Sequence, residues 1–498
     1  MGTQFQIEEA TIGSIQAAYR DGSLTCRQLV ELYIARIEAY DKAGPALNSI
    51  VTVNPRALEE ADRLDAELAS SGKLSGPLHG IPVLVKDQVE TAGIVTTFGS
   101  IAAKGYVPER DATVIAQIKQ AGGIILAKTT LPDFATSWFG YSSILGETKN
   151  PYALDRDTGA SSSGTGVSVA ANLGAIGVGE DTGGSIRLPS SFNNLVGLKV
   201  TPALISRTGM SPLVVFQDSA GPMTRTVTDA AILLDAMVGY DPADQYTASY
   251  VIARAPQSYT ECLDANGLRG ARIGVLGGVY GSDDDPDAAP VNRVIERALT
   301  DMKAAGAELV PVEIPDLMDQ IIFTSLYITH SKHDMNEFFA SRPGLGIASV
   351  AEIMETGQYH PMLDLFEDIG RGPTDPTDDP QYYEKYTARE TFQRQVVNIM
   401  ASNRLDAIAF PTCQVVPPTR AELNAGRWPC LEFPTNTLIG AQTWMPAISV
   451  PAGFTPAGLP VGIELLALPY GEPTLLRLAY AFEQATGHRR APASAPAL

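Results

Sequence analysis

The sequence predicts an α/β protein. Short apolar runs of strand length recur along the chain, segments with the apolar spacing of a helix alternate with them, and glycine- or proline-bearing breaks separate the two. At 498 residues the chain is long enough for two or three ordinary domains, yet no linker divides it and no repeat of fixed period appears. With 45% hydrophobic and 18% charged residues it has the composition of a globular protein with a sizeable core.

In "LTCRQLVELYIARIEAYDK", Leu29, Leu32, Tyr33, Ile37 and Tyr40 form one apolar helical stripe, and Thr25 and Gln28 have the spacing of a capping box. A second helical pattern runs from about Pro55 to Ser70; "GIPVLVKDQ" then reads as a short buried strand, and "DATVIAQIKQAGGIILAKT" as helix, Gly-Gly break and strand. The alternation returns with "VTDAAILLDAMVG" (helix), "RGARIGVLGG" (strand), "VNRVIERALTDMKAAG" (helix) and "ELVPVEIP" (strand). "LDAIAFPT", "AISVPAGF" and "VGIELLAL" are further strands. A mostly helical insertion is expected over about 316–403, between core segments at about 70–240 and 405–490, all within one unit spanning 1–490. The acidic, proline-bearing segments "GSDDDPDAAP" and "GRGPTDPTDDPQ" read as surface loops, and 491–498 as a disordered tail.

Composition narrows the function classes. No apolar run approaches the roughly 20 residues of a membrane-spanning helix. The N-terminus shows no basic start followed by an apolar segment, and Gln6 stands where a myristoylation signal has Ser or Thr. The four cysteines lie far apart, without zinc-site pairs or the density of a disulfide scaffold, so a reducing cytoplasm is the expected location. A formal charge of −20 repels phosphate backbones and anionic lipid, so neither nucleic acid nor membrane is an expected partner.

The candidate chemistry lies in two serine-rich turns and a lysine. "GEDTGGSIRLP" carries Ser185 after two glycines; Ser161, in "TGASSSGTG", lies 24 residues earlier; and Lys86 ends the apolar run "IPVLV". None of the five histidines sits in the context of a serine hydrolase base, and no Gly-x-Ser-x-Gly elbow surrounds Ser185. His79 reads as a turn residue with a structural hydrogen bond. His330 and His333 are three apart on a helix but lack a companion ligand pattern, so no metal is expected. A buried lysine offers another way to activate serine, because burial favours the neutral amine and leaves it a lone pair. The glycines before Ser185 suit a loop whose amides converge, with Thr182, Gly183, Gly184 and Ser185 as candidate oxyanion donors. Neither glycine-rich stretch has the phosphate-loop pattern.

These pieces, in this order, resemble the amidase signature family: "GPLHGIPVLVKD", "GETKNPY", "TGASSSGTGVSVAA", "GEDTGGSIRLPSSFNNLVGLKVT", "QDSAGPMTRTVTDAAILLDAM" and "PAISVPAGFTPAGLPVGIELL". The resemblance runs over most of the chain. It implies a single α/β fold with a mixed sheet of about eleven strands flanked by helices, and no metal or organic cofactor. By motif position it implies that Ser185 is the nucleophile, Ser161 the bridging serine on a cis peptide and Lys86 the base, with Asp181 and Arg187 as a supporting ion pair. The bridging turn departs from the family pattern in carrying three consecutive serines, so Ser162 reads as a neighbour that orients Ser161. Glu180 stands where the family more often has a small or hydroxyl residue.

The expected reaction is hydrolysis of small carboxamides or anilides through a Ser185 acyl-enzyme, with carbamates and esters open because they share a tetrahedral intermediate. A peptide amidase acting on C-terminal amides, the glutaminase component of a tRNA-dependent amidotransferase and a non-catalytic binding relative are the alternatives. Trp138, Phe139 and Tyr141, in "SWFGYSS", are candidate pocket residues, equally readable as core. The expected partner is a small amide substrate, and the expected state a monomer or homodimer.

Overall fold

A computed structural model describes residues 5–253 and 256–498. Among the described residues thirteen strands are formed, in chain order β1 (Ile50–Val53), β2 (Pro82–Lys86), β3 (Ile124–Thr129), β4 (Tyr141–Ser142), β5 (Gly146–Glu147), β6 (Ile176–Asp181), β7 (Val196–Lys199), β8 (Ser219–Thr224), β9 (Arg272–Leu276), β10 (Glu308–Val312), β11 (Ala407–Pro411), β12 (Ala447–Phe454) and β13 (Pro460–Leu466). Eleven of them build one mixed sheet in the order β1-β3-β2-β6-β8-β7-β12-β13-β11-β9-β10; β4 and β5 pair separately. Strands β3, β2 and β6 are mutually parallel, with Val85 of β2 opposite Val178 of β6. The C-terminal ends of β2 and β6 therefore deliver Lys86 and Glu180–Asp181 to the same edge of the sheet.

Among the strands read from the sequence, β2 and β3 are continuous apolar runs. All five residues of β2 and all six of β3 are buried, as befits parallel strands covered on both faces. β6 ("IGVGED") and β8 ("SAGPMT") carry glycine or proline and escape that reading. Gly177 in β6 is needed for close packing: a Cβ there would lie 2.5 Å from Thr165 Cγ2 on the helix Ser163–Ala170. The expected N-terminal helix runs over Cys26–Arg36, with Thr25 Oγ1 accepting from Gln28 N at 3.1 Å and Thr25 N donating to Gln28 Oε1 at 3.0 Å.

Five α-helices from Leu317 to Asn403 lie between β10 and β11. Phe338, Phe339 and Phe366 of these helices pack with Phe98 and Phe134 from outside the insertion in one aromatic cluster, with edge-to-face pairs such as Phe134–Phe339 at 5.2 Å. The C-terminal segment expected to be disordered is instead docked. The buried Arg36 donates to Ala495 O at 2.8 Å and Pro496 O at 2.9 Å, and Tyr40 Oη to Pro496 O at 2.8 Å. A segment of small residues and prolines is held because its carbonyls accept from a buried guanidinium. Among the described residues no helix is long and apolar enough to cross a membrane.

Candidate active site

Lys86 is the last residue of β2 and is fully buried. Its Nζ donates to Ser161 Oγ at 2.8 Å, to Glu180 O at 3.1 Å and to Glu180 Oε2 at 3.1 Å, so three acceptors meet the three hydrogens of an ammonium. Burial pushes the Lys86 ammonium below the ordinary lysine range, and the Glu180 charge beside it works in the opposite direction without reversing it.

Ser161 precedes the helix Ser163–Ala170, and the Ala160–Ser161 peptide is cis. That helix sits close against the sheet because Gly164 has no side chain: a Cβ there would lie 2.4 Å from Ser49 O and Thr130 N. Ser162 joins the two serine turns. Its N–H donates to Ser185 O at 3.0 Å, while its hydroxyl donates to Glu180 O at 3.1 Å. The structure thus brings Lys86 and Ser161 into direct contact and ties the Ser162 backbone to Ser185.

The Ser185 loop, between β6 and the helix Arg187–Phe192, is shaped by Asp181. Asp181 Oδ1 accepts from Gly184 N at 2.7 Å, and Oδ2 from Ile186 N at 3.0 Å and Arg187 Nε at 3.0 Å. Burial works to raise the Asp181 carboxyl, but the charge and hydrogen bonds of Arg187 outweigh it and hold the carboxyl below its usual range. Gly184, at φ 128°, adopts a conformation other residues rarely reach, and a Cβ there would stand 2.1 Å from Thr437 Oγ1. One expectation changes here: the Gly184 amide is taken by Asp181, so it is not free to hold an oxyanion. The amides of Thr182, Gly183 and Ser185 have no acceptor among the described residues.

Ser185 is 4% exposed and faces a narrow cavity lined by Trp138, Gly183, Leu213, Tyr327, Leu365 and Cys430 among others. Of the three aromatic pocket candidates, Trp138 lines this space. Phe139 instead packs edge-on against Phe433 at 5.1 Å, and Tyr141 stacks on His360 at 5.2 Å with its hydroxyl on Asn424. Both are packing residues, held by neighbours from the 360–433 region that the local motif does not disclose. Tyr327 also lines a second, larger cavity of about 860 Å³, whose walls include Leu317, Ile321, Ile328, Phe433 and Leu438 with Gln414 and Asn436.

Several residues of the site escape sequence reading. Arg187 donates to Glu464 on β13 as well as to Asp181, and its Nη1 reaches Thr437 O at 2.8 Å. Glu464 had a signal, being a lone carboxylate within the apolar run "VGIELLAL", which marks a buried charge in need of a partner. Tyr327, Gln217 and Thr437 had none. Gln217 Nε2 donates to Thr182 O at 2.5 Å, and Thr437 Oγ1 to Gly183 O at 2.6 Å, fixing the loop from outside.

The histidines stand apart from this site. His79 Nδ1 accepts from Ser75 N at 3.1 Å, and the carboxylate of Asp334 lies between His330 and His333, its other oxygen taken by Val215 N at 2.7 Å. Among the described residues no group of three or more His, Cys, Asp or Glu is arranged to hold a metal ion.

Known proteins resemble this chain over nearly its whole length. The sequence model of the amidase family matches residues 28–476. A probable amidase of Arabidopsis thaliana is 32% identical over 99% of this chain and 93% of its own. A component chain of the glutamyl-tRNA(Gln) amidotransferase of Geobacter metallireducens is 32% identical over 97% of this chain and 98% of its own. Among solved structures, the peptide amidase of Stenotrophomonas maltophilia superposes with a TM-score of 0.85 at 34% identity, covering 97% of this chain and 98% of that one.

Proposed function

The chain belongs to the amidase signature family of amide-hydrolysing enzymes, and from that premise we propose that it hydrolyses the C–N bond of linear carboxamides or anilides through an acyl-enzyme on Ser185. The observation that carries the reading is the buried 2.8 Å contact between Lys86 Nζ and Ser161 Oγ, on a turn whose next amide is bonded to the Ser185 carbonyl. In this reading neutral Lys86 takes the Ser185 proton through Ser161 as Ser185 Oγ attacks the substrate carbonyl. The free amides of Thr182, Gly183 and Ser185 stabilise the charge that develops on the carbonyl oxygen. The relay then returns the proton to the leaving nitrogen, and water releases the acyl group from Ser185.

The large cavity next to Tyr327 favours a second, finer reading of the substrate. Its 860 Å³ exceeds what a simple aliphatic amide fills, and its apolar walls carry a few amide side chains suited to a peptide backbone. An extended acyl part, such as that of a peptide amide, fits this space better than a short one. The test is a panel of acyl nitroanilides and peptide amides of graded length given to the purified chain, with Ser185→Ala as control. Hydrolysis without added partners, faster for longer acyl groups, supports both readings. Hydrolysis that appears only with partner proteins and glutaminyl substrates points to the amidotransferase alternative.

A further inference from the structure

Glu180 departs from the family pattern, and its surroundings give it a role. It is 1% exposed, and each of its carboxylate oxygens has a different partner: Oε2 accepts from Lys86 Nζ at 3.1 Å, and Oε1 from Thr182 Oγ1 at 3.0 Å. Thr182 Oγ1 also lies 2.6 Å from Asp218 Oδ1. A threonine hydroxyl has one hydrogen and cannot donate to two carboxylates at once. One carboxyl must therefore carry a proton, and Asp218 is the one suited to it: its burial and the nearby Glu180 charge hold it well above the usual carboxylate range. The chain then runs from the Asp218 O–H to Thr182 Oγ1, from the Thr182 O–H to Glu180 Oε1, and from Lys86 Nζ–H to Glu180 Oε2.

This chain is not sealed within the protein. Glu180 and Asp218 both line a cavity of about 430 Å³ that shares no lining residue with the cavities at Ser185 and beside Tyr327. The other charged or titratable groups on it are Arg207, His333, Asp334, Glu337 and Arg342. Lys86 itself faces Glu180 and, farther off, Asp181 and Asp218.

We propose that Glu180 is a positioning residue whose carboxylate, backed by Thr182 and Asp218, sets the pH at which Lys86 can act as a base. The Glu180 carboxylate beside Nζ favours the ammonium, so removing its charge lowers the pH at which Lys86 becomes neutral.

The proposal rests on the reading of Lys86 as base, and its test separates the two. In Glu180→Gln, which keeps an acceptor for Nζ, the acid limb of kcat/KM is expected to move down by at least one pH unit. Two units below the native midpoint the variant then retains at least about tenfold more of its own plateau rate than the native protein does. Glu180→Asp, which restores the charge, is expected to fall between the two. The second readout needs no turnover. Lysine labelled with carbon-13 at Cε, with the Lys86 resonance assigned through Lys86→Met, is expected to titrate at least one unit lower in Glu180→Gln. If the native chain turns over no amide or ester, the functional reading fails while the titration still decides the proposal. A Lys86 midpoint that stays within 0.3 unit in Glu180→Gln, or a large loss of plateau rate with no movement of the acid limb, overturns it.

Discussion

Gly183→Ala isolates the positioning of the candidate oxyanion amides. Only Gly184 of the two loop glycines has positive φ, so the backbone of Gly183 tolerates a side chain; what opposes one is Tyr327. A Cβ at Gly183 would lie 1.9 Å from Tyr327 Oη and 3.1 Å from its Cζ. Reaching an ordinary carbon–oxygen contact of roughly 3.3 Å requires a separation of more than about 1 Å. Tyr327 lines two cavities, but its hydroxyl is in hydrogen-bond contact with Gln217 Nε2 at 3.3 Å, which resists a swing away from the loop. The loop therefore takes much of the shift, and a displacement of about 1 Å at a reacting centre costs on the order of 100-fold in rate, or about 2.7 kcal/mol of barrier. Overpacking is expected to cost about 1–3 kcal/mol of stability as well. Steady-state kinetics on a nitroanilide should show the loss mainly in kcat. Adding Tyr327→Phe removes the offending oxygen and leaves contacts of 3.1 and 3.3 Å, to Cζ and to Leu438 Cδ2, which need shifts of only a few tenths of an ångström. The double variant should then recover to within about tenfold of Tyr327→Phe alone. A Gly183→Ala enzyme within threefold of native, or a double variant no faster than the single, would refute the reasoning.

Two further outcomes follow from the buried charges. Lys86 accepts a proton only as the neutral amine, and its position below the ordinary lysine range extends that form to lower pH. The rate is therefore expected to fall as pH drops through the Lys86 midpoint and to level off above it, and a profile flat from pH 5 to 9 would contradict the lysine base. Arg187→Met leaves Asp181 and Glu464 buried without their cation. The expected loss is about 3–5 kcal/mol in urea unfolding, and a loss under 1 kcal/mol would show that the pair does not hold the loop.

β2 and β3 were legible because burial on both faces makes their sequence continuously apolar. β6 was not, because Gly177 and Gly179 there answer to the helix and strand packed on them rather than to strand propensity. Lys86, Ser161 and Ser185 stood out because a lysine ending an apolar run and serines among glycines are locally unusual. The contacts that hold their loop in place span 35 to 277 positions of sequence, through Gln217, Tyr327, Thr437 and Glu464, and local spacing carries no trace of them. The docking of the tail on Arg36 was hidden for the same reason: backbone carbonyls supply it, and every sequence has those. Glu180 was visible as a departure, but its meaning needed the neighbouring strand that carries Lys86.

The most direct test of the account is intact-mass analysis of the protein quenched during reaction with an activated acyl ester, followed by peptide mapping. A mass increase equal to the acyl group, located on Ser185 and absent in Ser185→Ala, is the expected result. Turnover retained in Ser185→Ala, or the acyl group found on another residue, would contradict the account.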